Sequence, residues 1–193
     1  PHLTPFLPAS RVFMAIATSF GVVGIYLLAQ RLWGRRVALL AGVLLALDPF
    51  VIGLSSVLHV DALAMTFATL SLLAWLLALE RNRLPLALIS GACAGLAALS
   101  RSPAIFVLPI VGGSLLFWWL PERRLGRAAV LGAVWALGIA GALLAAFPGM
   151  WVDPLGMLER IYGLAGRYGS EAHEITFFLG RSGGAPGPLF YPL

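Results

Sequence analysis

The chain has one cysteine and no lysine, and only 11% of its 193 residues carry charge. A lone thiol supplies neither an internal disulfide framework nor a thiolate metal cluster. That cysteine, Cys93, lies between Gly91 and Gly95 in an apolar stretch, where packing is its expected role. Also missing are a phosphate-cradling glycine loop, an H-E-x-x-H pair and a G-x-S-x-G elbow, so an ATP-driven enzyme or a soluble hydrolase has no support. Apolar–polar alternation is absent too, which argues for helices over an outer-membrane barrel.

What remains is apolar. Hydrophobic residues make up 60% of the chain and the mean hydropathy is +0.94, well beyond the roughly 45–50% apolar content of a soluble domain. Six apolar segments stand out, at 12–30, 37–57, 62–79, 86–100, 103–120 and 128–147, most of them near the ~20 residues a spanning helix needs. The expected fold is all-α, a polytopic transmembrane bundle of about six spanning helices. Gly and Ala recur in "GACAGLAAL" (91–99) and "GAVWALGIAGALLAA" (132–146), where small residues let helix backbones approach in lipid.

All 13 basic residues are arginine, giving a net charge of +5. Spread over a soluble surface that charge would suggest nucleic acid, but here it gathers in loops and no nucleic-acid partner is expected. Arg31, Arg35 and Arg36 follow the first segment, Arg81 and Arg83 the third, and Arg123, Arg124 and Arg127 the fifth. The positive-inside rule makes these loops cytoplasmic and puts 1–10, 57–61, 101–102 and 148–193 outside. Residues 1–147 form the expected membrane part. Residues 148–193 form an extracytoplasmic loop leading to a further transmembrane helix, and 155–168 within it read as an amphipathic helix at the membrane surface. Glycine and proline at 180–188 predict loop thereafter. With Pro1 first and "LFYPL" last, the chain reads as an internal fragment.

Charged groups at membrane depth cost roughly 2.5–3.5 kcal/mol on insertion scales, so each one here needs a reason. "SSVLHVDALAM" (55–65) holds His59 and Asp61 at the outer start of the third segment. Asp61 is either an N-cap favoured by the helix dipole or a carboxylate facing an outer vestibule, with His59 able to share a ligand or move a proton. Asp48 precedes Pro49, a residue that frees a carbonyl and kinks a helix. Arg101, in "LSRSP" (99–103), either snorkels to headgroups or offers its planar guanidinium to a phosphate. "PGMWVDP" (148–154) brings Trp151 and Asp153 to the outer mouth of the sixth segment, and "EAHEITFFLG" (171–180) sets His173 between two glutamates.

In order and spacing, "YLLAQRLWGRRVALLAGVLLALDPF" (26–50), "SSVLHVDALAMTFATLSLLAW" (55–75), "GACAGLAALSRSPAIFVLP" (91–109), "FPGMWVDP" (147–154) and "HEITFFLGRSGGAPGPLFYP" (173–192) resemble the GT-C glycosyltransferase superfamily. The likeness is to its bacterial branch related to protein O-mannosyltransferases and the lipid A aminoarabinose transferase. That resemblance implies an integral membrane enzyme that transfers a sugar, with inversion, from a polyprenyl-phosphate donor to a lipid, glycan or protein acceptor outside a bacterial plasma membrane. It places Asp61 and His59 near the site as supporting groups, Arg101 on the donor phosphate, and Trp151, Asp153 and His173 around the substrate. It also places the principal catalytic carboxylate upstream of Pro1. Some relatives recruit a divalent metal for the phosphate; here its ligands would be oxygens, and no specific metal residues or other cofactor are assigned.

The chemistry fits that expectation. A glycosyl phosphodiester has a good leaving group, so a carboxylate to deprotonate the acceptor and cations for the departing phosphate suffice. A transporter or flippase of a lipid-linked substrate is the alternative, and a non-catalytic scaffold comes third. Polar residues gathered at the outer helix ends, rather than spread through the depth, favour the enzyme.

Overall fold

The structure, a computed structural model, describes residues 6–56, 60–119, 125–153, 155–157, 159–160, 163, 176–178 and 181–183. His59, His173 and most of the stretch read as loop on the glycines and prolines at 180–188 lie outside them, as does much of the amphipathic stretch at 155–168. Two compact units divide the chain, Pro1–Phe147 and Pro148–Leu193.

The first unit is an all-α membrane helix bundle. Its helices are α1 (Phe6–Trp33), α2 (Arg35–Leu47), α3 (Pro49–Ser56), α4 (Asp61–Arg81), α5 (Leu84–Ser100), α6 (Val107–Trp119) and α7 (Leu125–Ala146), with a 3-10 turn at Ser102–Phe106. Among the described residues, Ala9–Trp33, Asp61–Arg81 and Gly126–Ala146 are long and apolar enough to cross a membrane, while Leu84–Ser100 and Ala104–Phe117 are shorter apolar helices. The apolar segment at 37–57 is broken at Asp48–Pro49. Proline cannot donate the next ladder bond, and the Asp48 carboxylate instead accepts the N–H groups of Phe50 at 2.7 Å and Val51 at 3.4 Å. Asp48 therefore ends α2 and caps α3.

Turn chemistry folds neighbouring helices back on each other. Gly34 alone separates α1 from α2, at φ 85°, a conformation that costs glycine little. Asn82 ends α4 in the left-handed region, at φ 52° and ψ 43°, its N–H bonded to the Ala78 carbonyl; asparagine is among the few side chains that tolerate this cap.

α4 packs against α1 on one side and α5 on the other, and α5 packs against α7. The α5–α7 contact explains the small residues. A methyl group on Gly91 would run into the Trp135 carbonyl, and one on Gly138 into the Leu88 carbonyl, so the two backbones touch as lipid-embedded helices do when small residues face. The core between α4, α5, α6 and α7 contains Trp75, Leu79, Val107, Val111, Leu131 and Trp135. Its polar atoms are partnered: Trp75 Nε1 donates to Ser114 Oγ at 2.7 Å, Trp135 Nε1 to Ser90 Oγ at 3.1 Å, and Ser90 Oγ to the Ser71 carbonyl at 2.7 Å. Large apolar side chains such as Phe13, Phe20, Leu40, Leu44 and Leu137 point outward, as suits a bundle surrounded by lipid.

In the second unit, α8 (Gly149–Val152) precedes Asp153, whose carboxylate accepts the Gly156 N–H at 3.0 Å. Further along, within the stretch read as loop, two three-residue strands, β1 (Thr176–Phe178) and β2 (Arg181–Gly183), pair antiparallel with Phe177 opposite Ser182.

Candidate functional site

Asp61 and Arg101 stand 40 residues apart, and the fold joins them. Asp61 is the first residue of α4; the N-cap position belongs to Val60. Its carboxylate thus sits in the first turn, where the helix dipole favours a negative charge. Arg101 is the C-cap of α5, extended at φ −157° and ψ 138°. Both sides of its backbone are tied down: its N–H donates to the Ala97 carbonyl at 3.0 Å, and its carbonyl accepts the Ala104 N–H at 3.1 Å. Because α4 and α5 run antiparallel and in contact, the end of one lies beside the start of the other. From there Arg101 Nη1 donates to Asp61 Oδ1, forming an ion pair.

The pair is neither sealed nor free in water. Arg101 is 49% exposed and Asp61 24% exposed. A partly exposed pair of this kind contributes at most about 1 kcal/mol to stability, so the fold does not depend on it. A guanidinium has five N–H donors in a planar fork, and one N–H here is committed to Asp61. An anion reaching this end of the bundle meets a cation already oriented by a carboxylate. A phosphate, with a matching array of acceptor oxygens, is the chemistry such a fork suits.

The opposite end of the same unit is set apart by charge. Arg81 Nη2 donates to the Arg31 carbonyl at 3.2 Å. Arg127 Nε and Nη2 donate to the side-chain and backbone oxygens of Asn82, at 2.8 and 3.2 Å. Arg31, Arg81 and Arg127, one arginine from each of the sequence's three basic loops, thereby tie together α1, α4 and α7, about 30 Å from Asp61 by the length of the 21-residue α4. Sequence reading missed both clamps, although an asparagine placed after the last helical residue of α4 is a signal for a left-handed cap. It also missed Ser71, Ser90 and Ser114, whose signal is hydroxyls placed within otherwise apolar helices.

Trp151 and Asp153 belong to the second unit. Trp151 is exposed, and the Asp153 carboxylate serves a helix start. As for a metal, no three His, Cys, Asp or Glu side chains converge among the described residues. Among the described residues the candidate site offers one carboxylate, Asp61, and it already pairs with Arg101; these residues alone do not make up a metal site, and no step is routed through a metal.

Residues 8–151 match the family described as dolichyl-phosphate-mannose-protein mannosyltransferase, a match that covers well over half of the chain. The chain belongs to that family. Neither a curated protein nor a solved structure matches it. As a member of the mannosyltransferase family it is a multi-pass membrane glycosyltransferase, of a kind that draws sugar from a polyprenyl-phosphate-linked donor. The matched region contains both Asp61 and Arg101.

Proposed function

We propose that this family member works in a bacterial plasma membrane, taking a hexose or pentose from a polyprenyl-phosphate carrier and transferring it, with inversion, to an acceptor on the extracytoplasmic side. The reading draws on the GT-C branch that includes protein O-mannosyltransferases and the lipid A aminoarabinose transferase. One observation carries the site: the Asp61–Arg101 ion pair at the end of the bundle opposite the arginine-rich loops.

In the reaction, an acceptor hydroxyl oxygen attacks the anomeric carbon as the bond from that carbon to the phosphate oxygen breaks. The acceptor's proton passes to a carboxylate base, and the carrier leaves as polyprenyl phosphate. Arg101 contacts the phosphate and stabilises the charge that builds on it, an interaction that strengthens toward the transition state. Asp61 is a supporting acid that holds Arg101 in place before the donor arrives. His59, two residues earlier in the sequence, is assigned to the same outer segment as a supporting group. Trp151, Asp153 and His173 are assigned to substrate binding, Trp151 as an aromatic surface for a sugar.

The test is transfer in proteoliposomes, using a polyprenyl-phosphate donor labelled in the sugar together with membrane extracts containing candidate acceptors. Labelled acceptor, with release of polyprenyl phosphate, is the expected outcome. Movement of labelled donor across the bilayer without a transferred product would identify a lipid translocator and overturn the proposal.

A further inference from the structure

The α1–α2 hairpin carries a feature remote from the Asp61–Arg101 pair. Between the helices lies a groove of about 230 Å3, lined by Val22, Val23, Tyr26, Leu39, Gly42 and Val43 among others. Gly42 forms part of its wall: a Cβ built there would lie 3.6 Å from the Tyr26 side chain, an ordinary contact, so a methyl group fits and a longer side chain would occupy the groove. The lining is open to the outside, with Val23, Leu39 and Val43 each about half exposed (53%, 50% and 45%). Water does not fill an apolar groove in the bilayer core; hydrocarbon does.

Exposed arginines stand at the hairpin end of this groove. Leu39 is one helical turn from Arg35, about 6 Å along the axis, and Arg36 and Arg31 flank the same turn. At this end of the bundle Arg81 and Arg127 spend hydrogen bonds on the Arg31 and Asn82 oxygens. Arg35 and Arg36 have no carboxylate partner among the described residues, and the first turn of α2 contains no acid. Two unneutralised cations beside an apolar slot, at the depth where headgroups lie, match an amphiphile with an anionic head and a hydrocarbon tail.

We propose that the α1–α2 hairpin holds an anionic phospholipid of the surrounding bilayer, one acyl chain in the groove and the headgroup phosphate on Arg35 and Arg36. This site is distinct from the one assigned to the donor, since Arg101 lies at the far end of the bundle. Charge complementarity selects the occupant: a zwitterionic lipid gains no net attraction from the arginines, while each arginine near a headgroup favours an anionic lipid about fivefold.

The experiment is native mass spectrometry of the detergent-purified protein offered equal amounts of phosphatidylglycerol and phosphatidylcholine. Wild type should retain phosphatidylglycerol in preference by about tenfold or more. Arg35→Gln with Arg36→Gln should abolish the preference, and Gly42→Leu should reduce retention of either lipid by filling the groove. Arg11→Gln, at the other end of α1, should change nothing. If the double variant does not fold, wild type itself decides the question, because phosphatidylglycerol retention must fall as salt rises from about 0.05 to 0.5 M while phosphatidylcholine retention does not. Equal retention of the two lipids by wild type, a preference that survives the double substitution, or displacement of phosphatidylglycerol by polyprenyl phosphate at equal concentration would each overturn the proposal, the last by giving the groove to the donor's tail.

Discussion

At the scale of single residues, the Asp61–Arg101 pair separates a structural role from a chemical one by magnitude. With Arg101 half exposed, breaking the pair should cost about 1 kcal/mol or less. A phosphate contact that tightens in the transition state is worth more, and removing one such donor commonly lowers turnover by about 10²-fold or more. Arg101→Ala is therefore expected to leave the melting temperature in detergent within a few degrees of wild type while sugar transfer falls at least tenfold. Arg101→Lys, which keeps the charge but loses the fork, should recover only part of the rate. Each partner was legible in the sequence as an ionisable group out of place. Their union was not, because it depends on the antiparallel packing of α4 on α5 and on the extended backbone of Arg101, neither of which a local pattern encodes. The same limit explains Asp61 itself: an acid before an apolar run reads as an N-cap, and one residue's difference in where α4 starts puts it in the first turn instead.

At the scale of elements, helix positions were legible because apolar runs and their punctuation are local. Pro49 marked the break in the second segment, and the fold uses it as the start of α3 with Asp48 as the cap. Asp48→Ala should destabilise that junction by about 1 kcal/mol, measurable as faster amide exchange at Phe50 and Val51. Glycines divide by what they face. Gly91 lies against the Trp135 backbone, whereas Gly141, on α7, has nothing near its missing side chain. Gly91→Ala must push α5 from α7 and should cost about 1–3 kcal/mol; Gly141→Ala should be neutral or stabilising by up to about 1 kcal/mol through helix propensity. Unfolding titrations in mixed micelles would compare the two. Equal effects would mean that the α5–α7 approach is not what these small residues serve.

At the scale of the whole helix bundle, Pro1–Phe147, the two ends differ in charge, with arginines linked across α1, α4 and α7 at one end and the Asp61–Arg101 pair at the opposite end. This polarity is legible in the composition of the loops alone, since it depends on which loops carry arginine and not on how helices pack. In a Cys93→Ala background, Val60→Cys should react with a membrane-impermeant maleimide on intact cells and Arg83→Cys should not; the reverse pattern would invert the proposed orientation. What the arrangement does as a whole is tested most directly by exchanging the pair, Asp61→Arg with Arg101→Asp, and measuring transfer of labelled sugar from a polyprenyl-phosphate donor. Exchange preserves an ion pair between α4 and α5 but moves the cation away from the end of α5. The expected result is a protein as stable as wild type, or nearly so, that transfers sugar no faster than Arg101→Ala. Transfer restored to the wild-type rate would show that the pair only fastens two helices together, and would contradict the assignment of Arg101 to the donor phosphate.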